Sequence, residues 1–136
     1  MKKVYIIDDD EITLYLTRMI FELHAPESEC TTFTNGNDAV AQLGEDSRLG
    51  TLPSVILLDL NMPVVSGFDV LSRLEPLAGG LLACNCRVFV LTSSVDGQDR
   101  LKSLKHPLVA DVIEKPFDSD KLRVVLSAPL NERLST

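Results

Sequence analysis

The chain has 136 residues, of which 45% are hydrophobic and 24% are charged. This length and balance are typical of one globular domain with its own core, and they exclude a disordered tail, a fibrous repeat and a mini-protein. The net charge of -7 argues against nucleic acid as a partner, because an acidic surface repels phosphate backbones. We therefore expect proteins or cations as partners.

The cysteines and the first residues bear on the compartment. Cys30, Cys84 and Cys86 are an odd number, which favours reduced thiols and a cytoplasmic location. The apolar run near the start is cut short by Asp8, so it is not a signal peptide. No apolar stretch approaches the ~18 residues that a membrane span requires.

Short apolar runs rich in β-branched residues recur along the chain. Such runs are typical of strands buried on both faces of a parallel sheet. The last run is interrupted by Ala110 and Asp111, so we expect it at a sheet edge. Strands are predicted at residues 4–7, 30–33 (the weakest candidate), 55–58, 88–91 and 109–113.

Stretches with helical spacing of apolar residues separate these runs. A first helix is predicted to end before Pro26, and others to cover residues 37–44, 67–75, 99–105 and 118–127, where Asp118 can cap the last helix. Residues 77–85 are predicted to form a long loop, and residues 130–136 a polar tail. The core-facing positions are predicted to be Ile12, Leu16, Met19, Ile20, Leu23, Ala39, Val40, Leu43, Val70, Leu71, Leu74, Leu101, Leu104, Leu122, Val125 and Leu126.

Strand and helix patterns therefore alternate five times. Alternation of this kind predicts an α/β fold, with a parallel sheet, helices on both faces and right-handed crossovers. Open sheets of this class bind ligands at the carboxyl ends of their strands. The residues that leave those ends are Asp8, Asp9 and Asp10, then Asp59, then Thr92, and finally Glu114 and Lys115.

These residue types suit one kind of chemistry. Carboxylates that lie close together repel one another unless a cation intervenes, and carboxylates with a carbonyl oxygen suit Mg²⁺. A Lys ammonium and a Thr hydroxyl opposite them suit a phosphoryl group, whose transfer requires mainly positioning and charge neutralisation. A carboxylate can itself accept the phosphoryl group. Asp59 is the candidate, because it stands alone at a strand end with Asn61-Met62-Pro63 behind it.

Five motifs carry a resemblance to a known family: Ile6-Ile7-Asp8-Asp9-Asp10, Leu57-Leu58-Asp59-Leu60-Asn61-Met62-Pro63, Ser66-Gly67, Val90-Leu91-Thr92-Ser93 and Lys115-Pro116. In this order and at these spacings, the chain resembles the receiver domains of two-component response regulators over essentially its whole length. The resemblance implies a doubly wound (βα)5 flavodoxin-like sandwich, with a five-stranded parallel sheet in the order 2-1-3-4-5.

The resemblance also implies a role for each matching residue. Asp59 would accept a phosphoryl group from a histidine kinase, and Thr92 and Lys115 would contact the phosphoryl oxygens. Mg²⁺ would be bound by Asp9, Asp59 and the backbone carbonyl of Asn61, with Asp8 holding a metal-bound water. The Lys115-Pro116 peptide bond would be cis, and Gly67 would relieve the turn after the acceptor.

The sequence departs from the family in three places, one of which is Val64-Val65, a pair bulkier than the common loop and expected to affect access to Asp59. The family often has an aromatic residue three positions before the Lys, where this chain has Val112. The stretch from Thr92 to Lys115 is about one residue longer than usual, centred on residues 106–108, which leaves Ser93 as an alternative to Thr92.

The predicted function is a phosphorylation-switched binding module rather than an enzyme. The expected partners are a sensor histidine kinase or phosphotransfer protein and a downstream protein target, with the chain a monomer or a weak phosphorylation-dependent homodimer. The receiver is expected to occupy residues 1–128, with a tail at 129–136 and the output on another chain.

Two alternatives are a receiver-like adaptor that is not phosphorylated and a small Mg²⁺ phosphatase. The second is disfavoured by Asn61, which stands where such enzymes usually have a second Asp.

Overall fold

The structure is a computed structural model that describes residues 2–93 and 97–127. Its strands form one parallel sheet in the order 2-1-3-4-5, which confirms the doubly wound fold and the edge position of the last strand. The predicted tail at residues 130–136 lies outside the described residues. The strands are β1 (Lys3–Ile7), β2 (Glu29–Phe33), β3 (Val55–Asp59), β4 (Arg87–Thr92) and β5 (Val109–Glu114).

Two predictions about the segments between the strands were wrong. The second helix continues past Gly44, because Gly50, with φ 72°, is the residue that ends it in a left-handed cap. The segment at residues 77–85, predicted as a loop because of its two glycines, is mostly helical, since the fully buried Leu81 anchors it to the core. The helices are α1 (Glu11–His24), α2 (Gly36–Leu49), α3 (Gly67–Arg73), α4 (Ala78–Ala83), α5 (Gly97–Leu104) and α6 (Ser119–Ser127), with a 3₁₀ turn at Glu75–Leu77.

The sheet is buried on both faces, as the uninterrupted apolar runs predict. Along β1, Val4 and Ile6 face α1 and α6, whereas Tyr5 and Ile7 face the layer of α2, α3, α4 and α5. Among the helices in the described residues, none is long and apolar enough to cross a membrane.

The predicted core face of α1 was wrong. Its buried residues are Leu14, Thr17 and Phe21, while Ile12 and Leu23 are each 70% exposed. The Phe21 ring stacks on Phe117 with 5.8 Å between centroids. Tyr15 and Leu16 are exposed as well, Met19 and Ile20 are half-buried, and Leu101 of α5 is also exposed rather than buried. The other predicted core-facing positions are buried or half-buried, namely Ala39, Val40, Leu43, Val70, Leu71, Leu74, Leu104, Leu122, Val125 and Leu126.

A buried carboxylate joins α2 to β1. Asp46 accepts hydrogen bonds from the Tyr5 hydroxyl, from Thr51 Oγ1 at 3.0 Å and from Gln42 Nε2 at 3.1 Å, and Lys3 Nζ lies 3.5 Å away. Burial alone would raise the pKa of Asp46. The hydrogen bonds outweigh burial and hold this pKa below its ordinary value. The ionised carboxylate is therefore part of the folded structure.

Gly67, the first residue of α3, lies against the end of β3. A Cβ at this position would meet the backbone oxygen of Asp59 at 2.7 Å and Leu60 Cα at 2.8 Å. A capping box fixes the helix start, because the Ser66 hydroxyl accepts from the Asp69 amide and the Asp69 carboxylate accepts from the Ser66 amide. Only glycine fits here without displacing the strand end.

The Asp46 network makes a pH-dependent prediction. Tyr5→Phe removes a donor to a buried carboxylate, and we expect the free energy of unfolding to fall by about 1–3 kcal/mol at pH 7. The lowered pKa of Asp46 contributes stability that is complete above its unfolded value of about 4 and is lost as pH falls through the folded value. The difference in the free energy of unfolding between wild type and Tyr5→Phe should therefore shrink below about pH 4.

Urea denaturation at pH 7 and pH 3 measures this difference, and Tyr15→Phe, at an exposed tyrosine of α1, is the matched control. A difference that is unchanged or larger at pH 3 would contradict the role given to Asp46.

The close approach at Gly67 makes a second stability prediction. Gly67→Ala should lower the free energy of unfolding by about 1–3 kcal/mol, because the neighbouring atoms are backbone and cannot move aside cheaply. Gly44→Ala, where a Cβ would meet nothing within 4 Å, should instead raise it by roughly 0.5–1 kcal/mol. Thermal or urea melts of both variants test the contrast, and equal effects would show that the contact at Gly67 is unimportant.

Candidate functional site

The carboxyl ends of four strands bring the predicted site residues to one edge of the sheet. Asp59 is the last residue of β3 and Thr92 the last residue of β4, while Asp8 follows β1 and Lys115 follows β5. All strand pairs are parallel, so these residues leave the sheet in the same direction.

Three carboxylates form an acidic cluster at this edge. Asp8, Asp9 and Asp59 can each offer one oxygen such that all three oxygens lie within 4.8 Å of one another. Asp8 and Asp59 are 2% and 4% exposed, whereas Asp9 is open to solvent. Asp8 is oriented by its neighbour, because its Oδ1 accepts from the Asp10 amide at 2.9 Å.

Lys115 is the counter-charge of the two buried carboxylates. Its Nζ lies 2.9 Å from Asp8 Oδ2 and 3.1 Å from Asp59 Oδ1. Burial and the carboxylate of Asp8 raise the pKa of Asp59 above its ordinary value, although Lys115 opposes both effects. Burial would lower the pKa of Lys115, but the two carboxylates outweigh it and raise this pKa. Both groups of the pair therefore have perturbed pKa values, a property that is common at functional sites.

The loop that carries Lys115 is held at several points. The Lys115–Pro116 peptide bond is cis, as the resemblance implied, and the Lys115 amide donates to the Thr92 carbonyl at 2.8 Å. Lys121 of α6 donates to the carbonyl oxygens of Glu114 at 2.6 Å and Pro116 at 2.7 Å. Lys121 has no sequence motif, so its bracing role was missed by the sequence analysis.

Asn61 and Thr92 complete the edge. The Asn61 amide nitrogen lies 3.4 Å from Asp59 Oδ1, and Asn61 Nδ2 lies 3.5 Å from Thr92 Oγ1. Thr92 is buried with its hydroxyl beside Asn61, whereas Ser93 is exposed. The structure thus brings together all six predicted site residues.

Asp10 has a different role from its two neighbours. Its carboxylate caps α1 by accepting from the Ile12 amide at 3.0 Å and from the Thr13 hydroxyl at 2.9 Å. The hydrogen bonds from Thr13 and from the Ile12 amide lower the pKa of Asp10. Within the described residues, the carboxylates grouped as a possible metal site are those of Asp8, Asp9 and Asp59, without Asp10.

Two features of β5, the strand that leads to Lys115, also bear on the site. Val112, where the family often has an aromatic residue, is buried, and its carbonyl oxygen accepts from Arg100 Nη1 of α5 at 3.2 Å. The pairing of β4 with β5 shifts at Ala110, since Val109 pairs with Val88 and Asp111 with Phe89. Ala110 is thus an extra residue in the β4–β5 pairing, as in a β-bulge.

The donor set fits a hard divalent cation. Carboxylate oxygens at this spacing are the ligands that Mg²⁺ prefers, and two of the three are held in place by burial and by Lys115. A cation would also oppose the burial and the repulsion by Asp8 that raise the pKa of Asp59.

Comparison with known proteins gives a consistent result. The family model of the response regulator receiver domain matches residues 4–127. Curated relatives include the DNA-binding transcriptional regulator NtrC of Salmonella typhimurium, 29% identical over 87% of this chain and 22% of that protein. The transcriptional regulatory protein PrrA of Mycobacterium tuberculosis is 31% identical over 98% of this chain and 52% of that protein. The chain thus spans about half or less of the length of these relatives.

Solved structures agree with the family model. A two component response regulator from Cytophaga hutchinsonii superposes with a TM-score of 0.85 at 29% identity, covering 96% of this chain and 97% of that chain. A response regulator receiver protein from Dyadobacter fermentans gives a TM-score of 0.78 at 26% identity, covering 91% and 94%. With the family model matched from residue 4 to residue 127, the chain belongs to the response regulator receiver domains, which are signalling modules with an acidic pocket for Mg²⁺.

Proposed function

We propose that this chain is a phosphorylation switch in which Asp59 accepts a phosphoryl group from a histidine kinase or a phosphotransfer protein. The observation that carries the proposal is the position of Lys115 Nζ between the buried carboxylates of Asp8 and Asp59. A Lys ammonium beside an acidic cluster at the carboxyl ends of parallel strands is well placed to pair with a phosphoryl group that is transferred to Asp59.

In the transfer step, a carboxylate oxygen of Asp59 attacks the phosphorus of a phosphohistidine. The new P–O bond makes an acyl phosphate while the P–N bond breaks, and the imidazole leaves with the bonding electron pair. Lys115 favours the ionised form of Asp59, which is the form that attacks, and its ammonium then pairs with a phosphoryl oxygen. The Thr92 hydroxyl donates to another phosphoryl oxygen, for which its position at the end of β4 is support.

The metal-binding residues are part of the same proposal. Asp8, Asp9 and Asp59, with the backbone carbonyl of Asn61, would hold Mg²⁺, which when bound neutralises charge on the transferred group. Asp8 already has both oxygens oriented, one by the Asp10 amide and one by Lys115. The solvent-exposed Asp9 supplies the open side of the cluster.

The signal leaves the site through α5 and β5. Phosphorylation replaces the single negative charge of Asp59 with the charge of an acyl phosphate, about -2, beside Thr92 at the end of β4, the strand that pairs with β5. Arg100 joins α5 to β5 through the Val112 carbonyl and the Asp111 carboxylate, 3.4 Å away. A downstream protein then binds the face formed by α5, β5 and α6.

The acceptor assignment can be tested with a small phosphodonor. Incubation with Mg²⁺ and acetyl phosphate should add one phosphoryl group, seen as an intact-mass increase that is stable in acid and labile in base. Asp59→Asn should abolish the adduct, and the matched control Asp10→Asn should retain it, because Asn caps a helix as well as Asp does. An adduct that survives in Asp59→Asn would reject the assignment, and an unlabelled wild type would reject phosphorylation itself.

The metal site can be tested without phosphorylation. A ligand that binds only the folded chain stabilises it, by about 1.4 kcal/mol when its concentration is ten times the dissociation constant. Millimolar Mg²⁺ should therefore raise the melting temperature of wild type and of Asp10→Asn. It should have little effect on Asp9→Asn, in which the cluster has lost a carboxylate. Equal shifts in all three proteins would place the Mg²⁺ site elsewhere.

A further inference from the structure

Lys121 lies where a helix does not favour a positive charge. It is in the first turn of α6, and its backbone amide donates at 2.9 Å to the Asp118 carboxylate, which caps the helix. The partial positive charge of a helix N-terminus favours acidic side chains and repels an ammonium. The Lys121 side chain is nevertheless half-buried. Contacts of its ammonium therefore offset the repulsion at this end of α6.

The contacts are two carbonyl oxygens on either side of Lys115. Lys121 Nζ donates to the Glu114 oxygen at 2.6 Å and to the Pro116 oxygen at 2.7 Å. Hydrogen bonds from an ammonium are stronger than those between neutral groups. Because the two oxygens belong to the residues before and after Lys115, one ammonium fixes the backbone from which the Lys115 side chain projects.

A fixed backbone matters because Lys115 loses one of its own contacts during the proposed reaction. Its Nζ lies 3.1 Å from Asp59 Oδ1, and phosphorylation converts that carboxylate to an acyl phosphate. The ammonium then pairs with a phosphoryl oxygen, at the end of a flexible four-carbon stem. While the ammonium changes partner, the Lys115 backbone is held from the sheet by the Thr92 carbonyl at 2.8 Å, and from α6 by Lys121.

Resting on the function proposed above, we propose that Lys121 is a positioning residue for phosphoryl transfer to Asp59. Its hydrogen bonds go to the backbone around Lys115, so it acts through Lys115 rather than on the phosphoryl group. Misplacement of such a group by about 1 Å lowers a rate by up to ~100-fold. The loop keeps two other anchors, the Thr92 carbonyl and the buried Phe117 ring. We therefore expect the loss of Lys121 to have a smaller effect, roughly tenfold.

Five variants test this inference with acetyl phosphate and Mg²⁺. Lys121→Met removes the ammonium and keeps the aliphatic stem, whereas Lys121→Arg keeps a cationic donor. Arg123→Met is the matched control, because it removes the same charge from an exposed position of α6. Lys115→Met and the double variant Lys115→Met/Lys121→Met show whether the two lysines act as one unit. Labelling is followed by intact mass for long enough to detect a rate ~1000-fold below that of wild type.

Lys121→Met should be labelled about tenfold more slowly than wild type, while Lys121→Arg and Arg123→Met stay within about twofold. Lys115→Met should be slower still, by about 100-fold, because the charge that stabilises the transferred group is lost. The double variant should match Lys115→Met within about twofold, since Lys121 has no effect once the residue that it positions is absent. A role of Lys121 in stability alone would not produce this dependence on Lys115.

Thermal melting separates a displaced loop from a damaged site. A melting curve without Mg²⁺ shows that Lys121→Met is folded. Millimolar Mg²⁺ should raise the melting temperature of this variant as much as that of wild type, because Lys121 donates to backbone oxygens outside the acidic cluster. Loss of the Mg²⁺ shift in Lys121→Met alone would mean that the whole cluster is distorted, and would overturn the inference.

The labelling rates can overturn the inference in other ways. Equal rates for Lys121→Met and wild type would mean that the two hydrogen bonds do not affect transfer. Equal slowing of Lys121→Met and Arg123→Met would assign the effect to the charge of α6, and slowing that Lys121→Arg does not reverse would exclude the hydrogen bonds as its cause.

The Lys115 variants decide whether Lys121 acts through Lys115. A double variant about tenfold slower than Lys115→Met would show that Lys121 acts independently, and Lys115→Met labelled as fast as wild type would leave Lys121 nothing to position. In all these cases a labelled wild type leaves the acceptor assignment intact. An unlabelled wild type would instead reject the proposed function together with this inference.

Discussion

The candidate site at the carboxyl ends of the strands depends on one interaction, the pairing of the Lys115 ammonium with the buried carboxylates of Asp8 and Asp59. Asp8 and Asp59 are both withdrawn from water, and two adjacent carboxylates there would repel each other strongly without a cation. Lys115 supplies it, at 2.9 Å from one and 3.1 Å from the other. Asp8 and Lys115 are 107 residues apart in sequence, so only the folded sheet can make the pair.

The order of the strands brings these three charged residues together. β1, which leads to Asp8, lies beside β3, which ends at Asp59, and β4 alone separates β3 from β5 and Lys115. The reversal of strand order beside β1 opens the crevice in which these ends meet. The loop after β5 is then fixed by the Thr92 carbonyl and by Lys121, so Lys115 is held from both the sheet and α6.

Sequence patterns predicted the parts of the molecule that depend on buried strands and on motif spacing. The apolar runs of β1, β3 and β4 have no polar position, as expected for strands that are covered on both faces. Few other structures suit such runs. The site residues were predictable because each stands at the end of such a run. The order of the strands came from the resemblance, and no rule of periodicity supplies it.

The parts that were not predictable depend on tertiary contacts. On α1, two apolar faces compete, and the face that packs is the one from which the Phe21 ring stacks on Phe117, just before α6. The helix α4 forms despite Gly79 and Gly80, because Leu81 is buried in the core. The positive φ of Val64 has no signal in sequence, since valine is among the residues least suited to it.

Two buried aspartates show how the same side chain serves structure in one place and chemistry in another. Asp46 accepts from the hydroxyls of Tyr5 and Thr51 and from Gln42, so its charge is satisfied and its pKa is lowered. Asp59 is buried beside another carboxylate with one ammonium to offset both effects, and its pKa is raised.

Because the free energy of the Asp46 carboxylate is already lowered by its donors, that group gains little by reacting or by binding a cation. The Asp59 carboxylate lies in an environment that disfavours its charge, and a bound cation would offset that charge. Burial alone therefore does not distinguish a reactive carboxylate from a structural one. The two are distinguished by their neighbours: hydrogen-bond donors surround Asp46, whereas a second carboxylate, that of Asp8, lies beside Asp59.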